Sequence, residues 1–366
     1  MTLYPKLITD ALEKVIYPGT KKNLIESEML ADTPSINGNK VKLTLIFPRE
    51  TDPFLKSTLK AAEAQIHYSV GKDVEVTIET EFKSAPRPEV GKLLPQVKNI
   101  IAVSSGKGGV GKSTVSANLA IALARLGYKV GLLDTDIFGP SMPKMFGVED
   151  VRPYGVEKDG RQLIEPVEKY GVRLLSIGFF VNPDTATLWR GGMATSALKQ
   201  LIADADWGEL DYFILDTPPG TSDIHLTLMQ TLSITGAVIV STPQSVALAD
   251  ARKGIDMYRN DKVNIPILGL VENMAWFTPA ELPQNKYYIF GKDGCKNLAK
   301  ELNCPLLAQL PIVQSICENG DKGTPAASQV DTVTGQAFLS LAQSVVTVVN
   351  RRNKEQAPTK IVEVKN

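Results

Sequence analysis

Residues 106–114 read Gly106-Lys107-Gly108-Gly109-Val110-Gly111-Lys112-Ser113-Thr114. This stretch matches the G-x-x-x-x-G-K-[ST] loop that binds nucleotide phosphates. An apolar run at residues 100–103 precedes the loop, and a helical pattern follows at residues 113–126. In such a strand–loop–helix unit the glycines let backbone N–H groups turn inward, and the helix N-terminus adds partial positive charge. The stretch therefore predicts a nucleotide-binding α/β domain.

Beyond this loop, apolar runs alternate with helical stretches. The runs cover residues 130–133, 172–177, 212–215, 237–240, 267–271 and 306–310, and the helical stretches cover 193–204, 244–259, 295–302 and 332–350. Strands that are apolar throughout are buried on both faces, which is typical of a parallel sheet. The order therefore predicts a doubly wound parallel sheet with helices on both faces.

The rest of the chain divides into a small N-terminal unit, a linker and a tail. Helical spacing at 3–16 and 54–70, with strand alternation at 41–47 and 74–79, predicts a small α+β domain over residues 1–82. Residues 83–97 are rich in proline, which cannot sustain a helix or a central strand, so they are predicted to be a linker. The α/β domain is then expected to span residues 98–352, followed by a polar tail at 353–366.

Composition excludes several classes of protein. The 366 residues include 40 basic and 40 acidic ones, and this balance argues against a nucleic-acid partner. No apolar run reaches the roughly 20 residues that span a bilayer. Residues 332–350 contain no lysine or arginine, which argues against a basic membrane-binding helix. The first residues do not read as a signal peptide, so we expect a cytoplasmic protein without a membrane partner.

Cysteine and histidine are scarce. The cysteines are Cys295, Cys304 and Cys317, and the histidines are His67 and His225. An odd and sparse set of cysteines is not a disulfide framework and fits a reducing compartment. Two histidines leave little scope for a catalytic zinc site or a Ser-His-Asp triad. The chemistry is therefore expected to rest on the phosphate loop and on carboxylates.

Two aspartate motifs follow strands at the edge where open parallel sheets bind ligands. The run at 130–133 ends in Asp134 and Asp136, and the run at 212–215 ends in Asp216. Within the phosphate loop, Lys112 is expected to reach the β- and γ-phosphates, and the Ser113 hydroxyl to bind Mg²⁺. Asp216 is expected on the Mg²⁺ side, directly or through a metal-bound water. Asp134 is expected to be structural, and a cap or turn is the alternative for any of these aspartates.

Lys107 gives the loop a distinctive form. A lysine at this place resembles the deviant Walker A motif of the MinD/ParA/nitrogenase-iron-protein class of P-loop ATPases. In that class the lysine reaches across a dimer interface to the partner's nucleotide, where positive charge stabilises the transition state of phosphoryl transfer. The resemblance also implies that Asp136 orients the attacking water. A solvent-facing loop lysine is the alternative for Lys107.

Five further motifs resemble the Mrp/ApbC/NBP35 family and occur in the family's order. They are Asp134-Thr135-Asp136-Ile137-Phe138-Gly139-Pro140-Ser141-Met142-Pro143, Trp189-Arg190-Gly191-Gly192-Met193, Asp216-Thr217-Pro218-Pro219-Gly220-Thr221-Ser222-Asp223, Ser241-Thr242-Pro243-Gln244 and Val271-Glu272-Asn273-Met274. Residues 1–82 resemble the MIP18-like (DUF59) domain that often precedes bacterial Mrp proteins. The resemblance implies an ATP-hydrolysing homodimer that carries iron–sulfur clusters to apo client proteins. It also implies that Asn273 contacts adenine, with an ordinary turn asparagine as the alternative.

One departure from the family pattern concerns cluster ligands. The family usually places a Cys-x-x-Cys shortly after its Glu-Asn-Met motif, where two such pairs across a dimer would supply four thiolates. Residues 275–288 contain no cysteine, and Pro279 and Leu282 stand roughly where the thiolates belong. The usual cluster site is therefore in doubt. This favours a second function, a cluster-free regulatory or scaffold ATPase of the MinD/ParA class.

Other cysteines could replace the missing pair. Cys295 lies at the predicted start of a helix, a position that lowers the pKa of a thiol, so it is the candidate iron ligand. The alternative is that Cys295 is a small packing residue. Cys304 is expected to pack in the core, and Cys317 is expected to lie near the nucleotide without binding iron.

Overall fold

The computed structural model describes residues 3–47, 52, 54–71, 73–82, 93–158, 160–180, 191–279 and 281–362. The chain forms two compact units, residues 1–87 and 88–366. Most of the predicted linker, at residues 83–92, lies outside the described residues, as do Trp189 and Arg190 of the second family motif.

The smaller unit is an α+β domain, as the sequence predicts. Its elements are α1 (Pro5–Leu12), β1 (Ile16–Tyr17), β2 (Lys22–Asn23), β3 (Ser35–Asn37), β4 (Lys40–Phe47), α2 (Leu55–Val70) and β5 (Glu75–Phe82). Strands β3 and β4 form an antiparallel hairpin that turns at Gly38, where φ is +60° and glycine is favoured. Strand β5 pairs with β4 in parallel after the α2 crossover.

The larger unit carries an eight-stranded sheet. Its elements are β6 (Val97–Ser104), α3 (Lys112–Arg125), β7 (Val130–Asp134), α4 (Met142–Phe146), β8 (Gly155–Lys158), β9 (Arg161–Ile164), β10 (Val167–Lys169), β11 (Val172–Ser176), α5 (Gly191–Ala203), β12 (Leu210–Asp216), α6 (Asp223–Thr231), β13 (Gly236–Ser241), α7 (Ser245–Arg259), β14 (Ile267–Glu272), α8 (Gly294–Glu301), β15 (Leu306–Gln309), α9 (Gln314–Asp321) and α10 (Val333–Glu355). The sheet order is β10-β11-β7-β12-β6-β13-β14-β15. Seven strands are parallel, and only the edge pair β10–β11 is antiparallel.

Helices cover both faces of this sheet, which confirms the doubly wound prediction. Alternate residues of β6 point to opposite faces: Ile101 and Val103 pack with α3 and α10, whereas Ile100 and Ala102 pack with α5, α6, α7 and α8. All seven runs that the sequence identifies as buried strands are present in the sheet. Within the described residues, no helix combines the length and the apolar character needed to cross a bilayer.

Several features differ from the sequence prediction, which does not include helices α4, α6 and α9. The short strands β8, β9 and β10 were not expected, because their residues are mostly exposed or half-buried and lack a continuous apolar signal. The chain after residue 352 is also not a free polar tail. Helix α10 continues to Glu355, and Val362 is buried against the core, where its N–H donates to the Met229 carbonyl at 3.0 Å.

Candidate nucleotide site

The parallel register brings three functional segments to one edge of the sheet. Strand β12 lies between β7 and β6, and Asp216 at its end is aligned with Asp134 and Val103 of these neighbours. The phosphate loop begins directly after β6, at the same carboxyl edge. Ligands of open α/β sheets bind beyond this edge, so the fold itself assembles the predicted site.

Glycines set the shape of the phosphate loop at two positions. Gly111 has φ of +82° and immediately precedes α3, so a residue that tolerates left-handed backbone is required there. A Cβ atom at Gly106 would lie 2.1 Å from the backbone carbonyl carbon of Asp250, closer than any side chain allows. The loop therefore packs tightly against α7 and leads directly into the N-terminus of α3.

Asp216 organises the groups expected to bind phosphate and metal. Lys112 Nζ lies 2.7 Å from Asp216 Oδ1, and the Ser113 hydroxyl donates to Oδ2 at 2.7 Å. The Ser116 hydroxyl donates to Oδ1 at 2.6 Å, a contact that the motif does not predict. Lys112 is 6% exposed and Asp216 is fully buried, so this ion pair is shielded from solvent. Hydroxyl and carboxylate oxygens are the ligands that Mg²⁺ prefers, and Ser113 and Asp216 therefore fit a Mg²⁺ ion.

Asp134 has a structural role in the loop that follows β7. Its carboxylate accepts hydrogen bonds from the backbone N–H groups of Asp136, Ser141 and Met142 and from the Ser176 hydroxyl, at 3.0 to 3.2 Å. Burial, and then the neighbouring charge of Asp216, raise the pKa of Asp134 to about 7. These bonds fix residues 135–142 and so place Asp136.

Asp136 and Lys107 both line the cavity above the phosphate loop, about 290 Å³ in volume. Asp136 is half-buried, and burial raises the pKa of its carboxyl although Lys112 opposes the shift. Lys107 is half-buried as well, and no carboxylate of the described residues lies within 4.0 Å of its Nζ. The structure thus brings Asp136, Lys107 and Lys112 together around one cavity.

A second cavity of about 400 Å³ adjoins the first. The two cavities share Gly111, Thr114, Ser141 and Met145, so they form one groove. The apolar wall of the second cavity comes from Met274, Pro311, Ile312, Val313, Ile316 and Phe338. A groove with a cationic end and an apolar end matches the two chemical ends of a nucleotide.

Asn273 lines the second cavity but also braces the phosphate loop. Its Nδ2 donates to the Val110 carbonyl at 2.9 Å, and the side chain is 8% exposed. A Cβ atom at Gly111 would lie 2.2 Å from this Nδ2, so the amide occupies the space beside the loop. The sequence suggests an adenine contact for Asn273, whereas the observed bond is to the backbone of the loop.

His225 is a buried residue near the nucleotide site, and the sequence gives it no functional role. Its Nδ1 accepts the Ser222 N–H at 3.2 Å, which completes a capping box at the start of α6 and leaves the ring proton on Nε2. Burial, with the charge of Lys112, lowers the pKa of His225 to about 4. The imidazole is therefore neutral at physiological pH. The Ser-x-x-His spacing of residues 222–225 is the feature of the sequence that could have predicted this capping box.

The expectation that Cys295 carries a lowered pKa is wrong. Helix α8 begins at Gly294, as predicted, but Cys295 is fully buried, with its Sγ 3.7 Å from the Ser241 carbonyl oxygen. Burial and the charge of Glu272 raise the pKa of the thiol to about 12. Glu272 itself accepts the Cys295 N–H at 2.6 Å. Burial beside a carboxylate outweighs the helix N-terminus, so the side chain packs as a small apolar residue.

No other thiol group replaces the missing pair. Cys304 is half-buried and packs against the core, and Cys317 is exposed and lines the second cavity. Over the part of the chain that the structure describes, no cluster of three or more histidine, cysteine or acidic side chains could hold a metal ion. At the expected ligand positions, Leu282 N–H donates to the Pro279 carbonyl at 3.2 Å, which closes a turn without a thiolate.

The phosphate loop at the head of α3, with its lysine and serine on a strand-end aspartate, defines a P-loop ATPase of the MinD/ParA fold class. A family profile described as "NUBPL iron-transfer P-loop NTPase" matches residues 96–346. The chain therefore belongs to the NUBPL iron-transfer family of P-loop NTPases. A second profile, "Iron-sulfur cluster assembly protein", matches residues 6–78 in the smaller unit.

Similar proteins support the same assignment. An "Iron-sulfur cluster carrier protein" from Synechocystis is 42% identical over 349 residues, which cover 93% of this chain and 97% of that protein. Another with the same name, from Aquifex aeolicus, is 50% identical over 264 residues, 71% of each chain. A nucleotide-binding protein from Archaeoglobus fulgidus, solved in complex with ADP, is 35% identical with a TM-score of 0.57 and covers 67% of this chain and 94% of its own.

Proposed function

We propose that this protein is an ATP-hydrolysing homodimer that supplies iron–sulfur clusters to apo client proteins in the cytoplasm. The observation that carries the ATPase part is the buried arrangement of Lys112 and Ser113 on Asp216, at the head of α3. The names of the relatives support the cluster-supply part. The sparse, free cysteines fit a reducing compartment.

Each residue around the groove has a proposed task. ATP phosphates would replace Asp216 as the partner of Lys112, and Ser113 and Asp216 would hold Mg²⁺. When bound, Mg²⁺ neutralises charge that develops on the phosphate oxygens. Asp136, fixed by the loop that Asp134 organises, would orient the attacking water. The apolar cavity beside Asn273 would take the adenine ring.

Two observations support the homodimer. Lys107 lines the phosphate cavity without a carboxylate partner among the described residues, as expected for a lysine that acts on a neighbouring subunit's nucleotide. Exposed apolar side chains also follow the carboxyl ends of five parallel strands. They are Phe138, Phe180, Met193, Leu226, Val246, Leu282, Tyr287, Tyr288 and Ile289. Exposed apolar residues gathered at one edge are typical of an interaction surface, and the phosphate loop follows β6 at this same carboxyl edge of the sheet.

A second function is favoured by the state of the thiols. Cys295 is buried with a raised pKa, and residues 275–288 contain no cysteine. These facts favour a cluster-free regulatory or scaffold ATPase of the MinD/ParA class. The two functions share the ATPase cycle and differ in whether the protein itself binds iron.

The experiment that tests the ATPase homodimer compares binding with turnover in Lys107→Ala. We expect ATP affinity within about threefold of the wild type and turnover reduced by about a hundredfold or more, because Lys107 acts on the transition state in the partner. ATP-dependent dimerisation, measured by sedimentation, should also be lost. Lys300→Ala, an exposed lysine on α8, is the matched control. A large affinity loss with a normal rate per site would contradict the action on the partner's nucleotide.

A further inference from the structure

A second charged cavity lies at the amino edge of the large sheet, where β14 begins, opposite to the nucleotide groove. Its volume is about 1520 Å³, and an adjoining cavity of about 410 Å³ shares part of its wall, including Arg352 and Thr359. The wall consists of the end of α7, the end of α10 and the chain segment that follows α10. Neither the family motifs nor the nucleotide site involve these residues.

Arg352 is the central feature of this cavity. Its side chain is 8% exposed, yet no carboxylate of the described residues lies within 4.0 Å of its guanidinium. Its Nη2 donates to the Ala357 carbonyl at 2.8 Å and to the Thr359 hydroxyl at 2.7 Å, and Nη1 donates to Asn353 Oδ1 at 3.1 Å. Its Nε is buried without a hydrogen-bond partner in the described structure. A buried arginine with only neutral acceptors is unusual, because a buried charge is normally paired.

Further positive charge surrounds Arg352. Arg259, Lys262 and Lys360 also line the larger cavity, against one carboxylate, Asp261. None of these cations has a carboxylate within 4.0 Å among the described residues, and Arg259 instead donates to the Leu302 carbonyl at 2.9 Å. Four cations against one acid give the cavity an excess of positive charge in a chain whose formal net charge is zero. Such a local excess attracts multivalent anions.

We propose that this cavity is a binding site for a small multivalent oxyanion, of the phosphate or carboxylate class. The anion supplies the countercharge that Arg352 lacks, and Lys262 and Lys360 hold it from the rim. The smaller cavity has the size of a small-molecule site, and its apolar wall at Leu93 and Leu94 accommodates a short carbon skeleton. Helix α10 carries Phe338 in the nucleotide groove and Arg352 here, 14 residues apart or about 21 Å along the helix, so the two sites are separate.

The test must keep the phosphate loop occupied, because that loop also binds phosphates. Full-length protein saturated with ADP, in buffer without Mg²⁺ because both titrants chelate it, is titrated calorimetrically with inorganic pyrophosphate and, separately, with citrate. We expect binding of at least one anion, and the stronger one identifies the class. Lys262→Ala and Lys360→Ala should each weaken binding by about tenfold, whereas Lys300→Ala should not. Arg352→Gln should abolish binding, and the two rim variants keep the test valid if Arg352→Gln fails to fold.

Three results would overturn the proposal. The first is no heat of binding for either anion at millimolar concentration on the ADP-saturated protein. The second is equal binding by the wild type and both rim variants. The third is loss of anion binding in Lys112→Ala, which would place the anion in the phosphate loop instead.

Discussion

The phosphate loop and segment 275–291 both follow a buried parallel strand at the same edge of the sheet. Only the phosphate loop carries all the side chains that its expected ligand needs. Around the loop, Lys112, Ser113 and Ser116 all converge on Asp216 within 2.7 Å. In the segment, main-chain bonds between Phe277 and Tyr287 at 2.8 Å maintain the fold, but no thiolate or carboxylate cluster is present in its described residues. The fold positions both regions, and the side chains alone decide which of them can bind a ligand.

The side chains that segment 275–291 does carry suit a different task. Leu282, Tyr287, Tyr288 and Ile289 are 40–60% exposed, and Lys286 Nζ lies 4.1 Å from the centre of the Trp276 ring. Such apolar and aromatic surface favours contact with another protein over the binding of a metal. The comparison therefore separates the nucleotide site, whose side chains are complete, from the expected cluster site, where the described residues supply no thiolate.

The largest expected effect comes from removing the lysine of the phosphate loop. Lys112→Ala should lower ATP turnover by about 10²–10³-fold or more and strongly weaken ATP binding, because one charge contacts two phosphates. The change also leaves Asp216 buried without its cation, so circular dichroism and thermal unfolding must show that the variant is folded. Unchanged turnover in the folded variant would show that the loop is not the ATPase site.

The second prediction concerns a variant of segment 275–291 that gains the two missing thiolates. The turn that Leu282 N–H closes on the Pro279 carbonyl is present, so Pro279→Cys/Leu282→Cys should allow the protein to retain iron and sulfide after anaerobic reconstitution and gel filtration. Wild-type protein, which lacks these thiolates, should lose any cluster that it binds during gel filtration without added thiol. Iron counting and absorbance spectra measure both, with Pro279→Ser/Leu282→Ser as the matched control.

Cys295 provides the internal check of that experiment. Because the thiol is buried with a raised pKa, Cys295→Ser should leave the iron content of the wild type unchanged. A wild-type cluster that survives gel filtration and disappears in Cys295→Ser would show that the helix α8 site opens and ligates iron. ATP hydrolysis should persist in all of these variants, since none of them changes the nucleotide groove.

The phosphate loop could be predicted because its signals are local. The glycine spacing, the preceding strand and the following helix all lie within about thirty residues, and the same holds for Asp216 at the end of its strand. Ser116 and the bond from Asn273 to Val110 could not be predicted, since each contact joins residues 100 or more positions apart. They depend on strand order and helix rotation rather than on a motif.

Cys295 also shows that local sequence does not predict long-range contacts. Its position near the start of α8 is local, and the sequence identified it correctly. Its burial and the nearby Glu272 carboxylate arise from packing of α8 against β14, which no local pattern reveals. The antiparallel edge strand β10 was missed for a related reason, since its residues have no continuous apolar run.

The smallest expected effect is a change in the alkylation rate of Cys317, which lines the nucleotide groove. Cys317 is exposed and lines the apolar cavity with Asn273, whereas Cys295 is buried, and burial raises the pKa of its thiol to about 12. Iodoacetamide should therefore alkylate Cys317 before the other thiols, and saturating ADP should slow that reaction by about tenfold because the base covers the cavity. Mass spectrometry of labelled peptides gives the rate at each cysteine. Lys112→Ala should lose the protection, and equal rates with and without ADP would place the base away from Cys317.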